Sequence, residues 1–336
     1  FCLSRGLGDV YKRQGMHHVT AITSDAVKIY DFFTDVLGIR LVKKTVNQDD
    51  IQTYHLFFAD DEGNAGTDVT FFDFPGIPKG THGTDEIARI TLRVPSDAAI
   101  DFWNKCFDEL DVKHDTPSER FGKKIIEFED FDGQQYTLIS DEKDAADSVE
   151  PGVAWKNAPV PEEYAIVGLG PIELNVSRFD PFKAVFEEVY GYKEVDQEGD
   201  YHLFETGKGG NGGQVIVRKL GGNPGMQGYG TIHHTAFRVA DKEGLDEWID
   251  RLNEYQIGNS GFVERYFFKS LYSKFYPGIL IEIATDGPGF MGDEDYETLG
   301  EKLSLPPFLE PKREAIEAQV RHIDTTRHNQ PGRKNQ

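Results

Sequence analysis

The chain has 336 residues, enough for about two domains of roughly 150 residues each. Its formal net charge of −22 argues against nucleic acid and anionic membranes as partners, because their phosphates would repel it. Two cysteines cannot build a disulfide framework or a thiolate metal site, and no membrane-length apolar run or signal peptide is visible. We therefore expect a soluble, cytoplasmic protein.

The first segment, residues 1–14, lacks a start methionine and a periodic apolar pattern. It is similar to translated cloning or adaptor sequence, so we expect it to be non-native and to lie outside the fold. The natural protein is expected to begin near Gly15.

Four copies of one structural unit are predicted by internal similarity. The tetrapeptide YHLF occurs at 54–57 and again at 201–204, and ITLRV at 90–94 is similar to TAFRV at 235–239. Each copy reads as a strand, a helix and three further strands, over residues 15–78, 84–142, 165–220 and 228–286.

Residues that typically cap or begin helices support these boundaries. The first helix is predicted to be capped by Ser24 or Asp25, and the second to begin at Ser96. In the third unit Asp180 is predicted as the N-cap, with Pro181 at the first helical position. The fourth helix should begin near Asp241.

One βαβββ unit buries only one face of its sheet, so units must pair into cups. The predicted fold class is α+β, with four βαβββ modules paired into two cupped mixed sheets. The predicted segments are modules one and two (15–142), a linker rich in Pro, Ala and acid (143–164), modules three and four (165–290), a C-terminal extension with a helix near 311–320 (291–322), and a disordered polar tail (323–336).

Metal-binding residue types fall in two of the four units. The first-strand positions that we align are His18, Arg89, Pro171 and His234. The aligned last-strand positions are Thr70, Thr137, Val217 and Glu282. If one ion takes His18, His234 and Glu282, units one and four must share a cup.

Two neutral imidazoles and one carboxylate form the ligand set of non-haem Fe(II) oxygenases, which leaves positions open for substrate and O2. We therefore predict a mononuclear Fe(II) site, with Mn(II) as the alternative metal. Adjacent strand residues face opposite ways, so His18 and His234 should face the cup while Val19 and Phe237 face the helices.

The segments HHVTAIT at 17–23, HHTAFRVAD at 233–241 and GILIEIATDGPGF at 278–290 carry a resemblance to a known family. The chain resembles the vicinal oxygen chelate superfamily, which comprises glyoxalases, bleomycin-resistance proteins and extradiol dioxygenases. Within it, the chain resembles the ring-cleaving dioxygenases of hydroquinones. That resemblance implies O2-consuming cleavage of a small dihydroxy-aromatic substrate by an iron enzyme.

The resemblance also implies site residues. It supports His18, His234 and Glu282 as metal ligands. It implies catalytic roles for His233, Arg265 and Tyr272, and substrate-binding roles for His17 and Thr20.

Two other functions remain open on the same fold. One is a glyoxalase-type isomerase or thiol transferase, although Thr70 stands where such enzymes usually supply a fourth ligand. The other is a non-catalytic resistance protein that binds an aromatic compound. His55 and His202 recur in the repeated YHLF, which favours a structural role for both. The sequence leaves the oligomeric state open, a homo-oligomer included.

Overall fold

The computed structural model describes residues 15–326, so the predictions for 1–14 and for 327–336 lie outside the described residues. Units one and two contain β1 (Met16–Ile22), β2 (Arg40–Val46), β3 (Tyr54–Ala59), β4 (Asp68–Phe72), β5 (Glu86–Val94), β6 (Ser118–Arg120), β7 (Lys123–Glu129) and β8 (Gln135–Ser140). Units three and four contain β9 (Ile172–Val176), β10 (Lys193–Glu198), β11 (Tyr201–Glu205), β12 (Gln214–Lys219), β13 (Thr231–Val239), β14 (Val263–Glu264), β15 (Phe268–Tyr276) and β16 (Ile279–Pro288). The α-helices are α1 (Ala26–Asp31), α2 (Asp97–Glu109), α3 (Phe179–Glu188), α4 (Lys242–Glu254) and α5 (Arg313–Glu317).

The strands form two curled, mixed sheets of eight strands each. One sheet has the order β14-β15-β16-β13-β1-β4-β3-β2, and the other has the order β10-β11-β12-β9-β5-β8-β7-β6. The predicted α+β class with four βαβββ modules is therefore confirmed. Units one and four share the first sheet, as the distribution of ligand residues predicts, and units two and three share the second. The division into the sequence halves 15–142 and 165–290 stays a prediction about the chain, because each half contributes one unit to each sheet.

Side-chain caps start three of the four module helices. The Asp25 side chain accepts hydrogen bonds from the first-turn backbone of α1, Ser96 does the same for α2, and Asp241 does so for α4. The prediction for α3 is wrong by two residues, because its N-cap is Arg178 and no side chain caps it. Asp180 and Pro181 lie inside its first turn, where proline is tolerated since that backbone N–H has no partner within the helix.

Strand alternation separates the core from the concave faces. Val19 on β1 and Phe237 on β13 lie in the hydrophobic core together with apolar residues of the helices. His18 and His234, on the opposite phase of the same strands, face the concave side of the first sheet, as predicted. No helix within residues 15–326 combines the length and apolar character that crossing a membrane requires.

The C-terminal extension packs against unit one. Lys43 is fully buried and its Nζ lies 2.8 Å from Asp293 Oδ1, while Lys44 donates to Thr325 Oγ1 at 2.9 Å. Thr325 and Ile323 are buried, so the exposed tail does not begin at residue 323. The physical reason is that a buried lysine needs acceptors, and this segment provides them. Helix α5 is also shorter than the predicted 311–320.

Candidate metal centre

Three side chains that are far apart in sequence converge on the concave face of the first sheet. His18 Nε2 lies 3.2 Å from Glu282 Oε2, His234 Nε2 lies 2.9 Å from the same oxygen, and the two Nε2 atoms are 3.2 Å apart. All three residues are buried, with Glu282 at 0% exposure. Each offers one ligand atom, and these atoms lie close enough together to hold one ion.

Strand register explains this convergence. Strand β1 pairs antiparallel with β13, which places Thr20 opposite His234. Strand β13 pairs parallel with β16, which places Ala236 opposite Glu282. Because side chains two residues apart share a face, both pairings bring the three side chains to the same concave surface.

The preceding histidines orient the two imidazoles. His17 Nε2 lies 3.0 Å from the carbonyl oxygen of Thr285, so it carries the proton and donates. His17 Nδ1 must then accept from His18 Nδ1 at 2.9 Å, which leaves the lone pair of His18 Nε2 free. His233 Nδ1 and His234 Nδ1 repeat this contact at 2.8 Å. Burial lowers the pKa of both His17 and His233 to about 3, so the supporting rings are neutral.

Glu282 supplies the anionic ligand atom. Its Oε1 accepts a hydrogen bond from Ser270 Oγ at 2.5 Å, whereas its buried Oε2 accepts none within the described chain and faces the two ring nitrogens. A buried carboxylate oxygen that accepts no hydrogen bond, beside two nitrogen lone pairs, fits a divalent cation.

Hydroxyl groups occupy the fourth side of the centre. Thr20 Oγ1 lies 3.0 Å from His234 Nε2 and 2.7 Å from Thr70 Oγ1, and Thr70 Oγ1 lies 2.9 Å from His55 Nε2. Thr70 Oγ1 is therefore engaged with the Thr20 hydroxyl and the His55 ring, and as a neutral hydroxyl it supplies no anionic fourth ligand.

A cavity of about 380 Å³ opens beside the three residues. Its size is at the lower end of small-molecule sites and suits a single aromatic ring. Most of its wall is apolar, formed by Phe57, Phe72, Phe74, Phe267, Phe268 and Leu280.

The three residues predicted to be catalytic all line this cavity. Arg265 Nε donates to the hydroxyl oxygen of Tyr272 at 3.1 Å. Burial raises the pKa of Tyr272, so its phenol stays protonated at neutral pH. His233 forms an edge contact with the Phe72 ring, with centroids 5.5 Å apart.

The two predicted substrate-binding residues are placed differently. His17 and Thr20 are buried beside the metal-ligand positions, and neither is among the described residues that line the cavity. Their role in substrate binding stays a prediction, whereas their contacts with His18 and His234 are direct.

Sequence reasoning missed three residues of the site. Ser270 supports Glu282, and a signal existed, because it lies two residues before Tyr272 on the same strand face. His55 lines the cavity between the rings of Phe57 and Phe72, at 3.9 and 4.4 Å, although its recurrence in YHLF favoured a structural role alone. Asp49, at the cavity mouth, carried no sequence signal.

The equivalent positions of the second sheet hold an ion-pair network. Pairing of Thr91 with Thr137 confirms the alignment of unit two. In unit three, Arg218 pairs with Asn175, and Val217 lies in the core. Glu173 and Arg218 therefore lie on the concave face, and the predicted Val217 is wrong because the alignment of that strand is one residue out of phase. Pro171 has the same strand phase as Glu173, and its alignment stays a prediction.

Comparison with known proteins gives consistent matches. The model of the Glyoxalase/Bleomycin resistance protein/Dioxygenase superfamily matches residues 15–134. MhqA of Bacillus subtilis (strain 168), named as a candidate ring-cleaving dioxygenase, is 42% identical over 93% of this chain and 99% of its own. The chlorohydroquinone/hydroquinone 1,2-dioxygenase of Sphingobium indicum is 30% identical over 88% of this chain and 92% of its own.

Solved structures agree on the fold. The crystal structure of a candidate dioxygenase from Bacillus subtilis superposes with a TM-score of 0.85 at 35% identity, over 93% of this chain and 98% of that one. Glyoxalase I from Zea mays superposes with a TM-score of 0.59 at 15% identity, over 81% of this chain and 92% of that one, and so shares the fold alone.

Proposed function

The chain belongs to the glyoxalase/bleomycin resistance/dioxygenase superfamily, and we propose that it is an Fe(II)-dependent, extradiol-type ring-cleaving dioxygenase that acts with O2 on a hydroquinone or related dihydroxy-aromatic. The observation that carries the proposal is the convergence of His18, His234 and Glu282 beside an aromatic-lined cavity. The names of the relatives support ring cleavage and a hydroquinone-type substrate.

We assign the metal ligands to Nε2 of His18, Nε2 of His234 and the Glu282 carboxylate. When bound, Fe(II) would supply Lewis acidity toward the substrate oxygen and the redox capacity that O2 chemistry requires. A single carboxylate leaves the site with a net positive charge, which favours a phenolate oxygen over a neutral one. Mn(II) prefers similar ligands and is the alternative metal.

The aromatic wall would bind the substrate ring by burying it among phenylalanine side chains, which also excludes bulk water. Arg265 places a positive charge at the cavity wall, where it would balance negative charge that develops on a substrate oxygen. The Tyr272 hydroxyl accepts from Arg265, so its own proton is available to hydrogen-bond a substrate oxygen.

His233 would act as a hydrogen-bond donor. A ligand role requires His234 Nε2 to be unprotonated, so His234 Nδ1 carries the proton and donates it to His233 Nδ1. His233 Nε2 then carries its own proton. We therefore assign His233 to orienting a substrate oxygen rather than to removing a proton from it.

Oxygen consumption tests this proposal. The protein is loaded with Fe(II) under anaerobic conditions and mixed with a panel of hydroquinones and catechols in an oxygen electrode. We expect uptake of one O2 per ring cleaved for at least one hydroquinone, and none for the His234→Ala variant. Absence of uptake across the panel, together with isomerase or thiol-transfer activity with Ni(II) or Zn(II), would instead support glyoxalase-type chemistry.

A further inference from the structure

The mouth of the cavity is bridged by contacts between units one and four. The turn between β2 and β3 lies on one side, and Arg265 lies on the other. Arg265 Nη1 is 2.9 Å from Asp49 Oδ2, and Gln48 Nε2 donates to the Arg265 carbonyl oxygen at 2.8 Å. Both turn residues line the cavity. Two adjacent residues of the turn therefore contact the same arginine.

The turn holds Asp49 in place through its own hydrogen bonds. Asn47 N donates to the Thr53 carbonyl at 2.8 Å, and Thr53 N donates to the Asp50 carbonyl at 3.0 Å. Asp49 N donates to Asn47 Oδ1 at 2.9 Å. Hydrogen bonds within the turn therefore fix the backbone that carries Asp49, and its carboxylate lies against Arg265.

Arg265 is the only Lys or Arg among the described residues that line the cavity. Its Nε faces inward to Tyr272, and its Nη1 faces outward to Asp49. A guanidinium presents a planar fork that suits a carboxylate, and here a carboxylate of the chain already occupies part of that fork.

We propose that Asp49 is a specificity-determining residue that occupies Arg265 at the cavity mouth, so that the cavity accepts uncharged dihydroxy-aromatic rings and rejects rings that carry a carboxylate. This inference rests on the proposed function, since it assigns the substrate class of the same cavity. A carboxylated ring would have to displace Asp49 from Arg265 and would also meet the negative charge of Asp49. Such discrimination by an opposing charge is a common way to reject a competing ligand.

The effect should be on selectivity and hardly on folding. Asp49 is 72% exposed, and an exposed ion pair contributes little to stability. Removing its charge should change the preference between a charged and an uncharged ligand by about threefold to tenfold, and salt should weaken the effect because the pair is accessible to solvent.

The test compares Asp49→Asn with a matched control, Asp50→Asn. Asp50 also lines the cavity mouth, but its carboxylate bonds to Thr53 within the turn rather than to Arg265. Calorimetry at low and high salt measures the binding of benzoate and of phenol to the purified protein. Steady-state kinetics compares the kcat/KM for gentisate, which is a hydroquinone with a carboxylate on the ring, with the kcat/KM for hydroquinone itself.

We expect Asp49→Asn to bind benzoate at least about threefold more tightly than the unaltered protein and to bind phenol with unchanged affinity. The gain in benzoate affinity should be smaller at high salt. Asp49→Glu, which keeps the negative charge, should bind benzoate as weakly as the unaltered protein. The kcat/KM ratio should shift toward the carboxylated ring in the same variant. Equal benzoate affinity in Asp49→Asn and the unaltered protein, or an equal gain in Asp50→Asn, overturns the inference. Because benzoate binding needs no turnover, it remains informative if no ring cleavage is found.

Discussion

The two curled sheets share one topology but hold opposite chemistry on their concave faces. In the first sheet, the equivalent positions hold His18, His234 and Glu282 around a common point. In the second sheet, Arg89 stands at the position aligned with His18 and pairs with Glu173 of the neighbouring strand, and their Nε and Oε2 atoms lie 3.9 Å apart. The same backbone arrangement therefore carries a candidate cation site in one sheet and an internal ion pair in the other.

Charged side chains occupy the concave face of the second sheet and pair with one another. Arg120 lies 3.5 Å from Glu127 and 3.8 Å from Glu173, and its guanidinium lies 3.8 Å from the Tyr201 ring centroid. Guanidinium groups cannot ligate a cation, and they satisfy the carboxylates that otherwise could. The capacity to bind a cation therefore depends on a few side chains and not on the backbone fold that the two sheets share.

The largest expected effect is the loss of the site by Glu282→Ala. Removing the anionic ligand should weaken Fe(II) binding by more than about a hundredfold, since the hydrogen-bond partners of metal ligands alone are worth about ten- to a hundredfold. Activity should disappear with the metal. Metal analysis after anaerobic loading and desalting measures the first effect, and retained iron at one per chain would contradict our ligand assignment.

A smaller effect is expected for Ser270→Ala. Its hydroxyl donates to Glu282 Oε1, so its loss should raise the dissociation constant for Fe(II) by about ten- to a hundredfold without abolishing binding. Competition with a coloured chelator gives the constant. Ser273→Ala, on the opposite face of the same strand and bonded to Tyr190, serves as the control and should leave the constant unchanged.

We expect pH to change the free energy of unfolding through a buried carboxyl group of the second sheet, without an effect of that group on iron binding. Burial raises the pKa of Asp130, in the turn between β7 and β8, to about 7. The folded protein then keeps a proton that the unfolded chain loses near pH 4, so the free energy of unfolding should fall as pH rises from about 4 to 7. Asp130→Asn should remove a slope worth up to about 4 kcal/mol across that range. Urea unfolding of both proteins at several pH values measures the difference, and identical slopes would refute it.

The smallest expected effect on the metal is that of Glu173→Gln, which alters a buried carboxylate on the concave face of the second sheet. Iron content should stay at one per chain, because its neighbours Arg89 and Arg120 exclude a cation from that face. Metal analysis beside Glu282→Ala provides the contrast. A fall in iron content with the folded structure intact, judged by circular dichroism, would show that the two sheets are less separate in function than we argue.

The sequence predicts the repeated unit and the convergence of His18, His234 and Glu282, because strand alternation and repeat alignment act over short distances along the chain. It fails at Val217, where the alignment of the last strand of unit three is one residue out of phase and no local pattern marks the shift. It also fails at Asp49, whose contact with Arg265 depends on how unit one lies against unit four. Contacts of that kind are set by tertiary packing rather than by periodicity.

The most direct test of the central claim is anomalous X-ray scattering at the iron edge from crystals grown after anaerobic Fe(II) loading. We predict one anomalous peak per chain, within bonding distance of Nε2 of His18, Nε2 of His234 and a carboxylate oxygen of Glu282. A peak elsewhere, or none in crystals whose solution sample contained iron, would contradict the account.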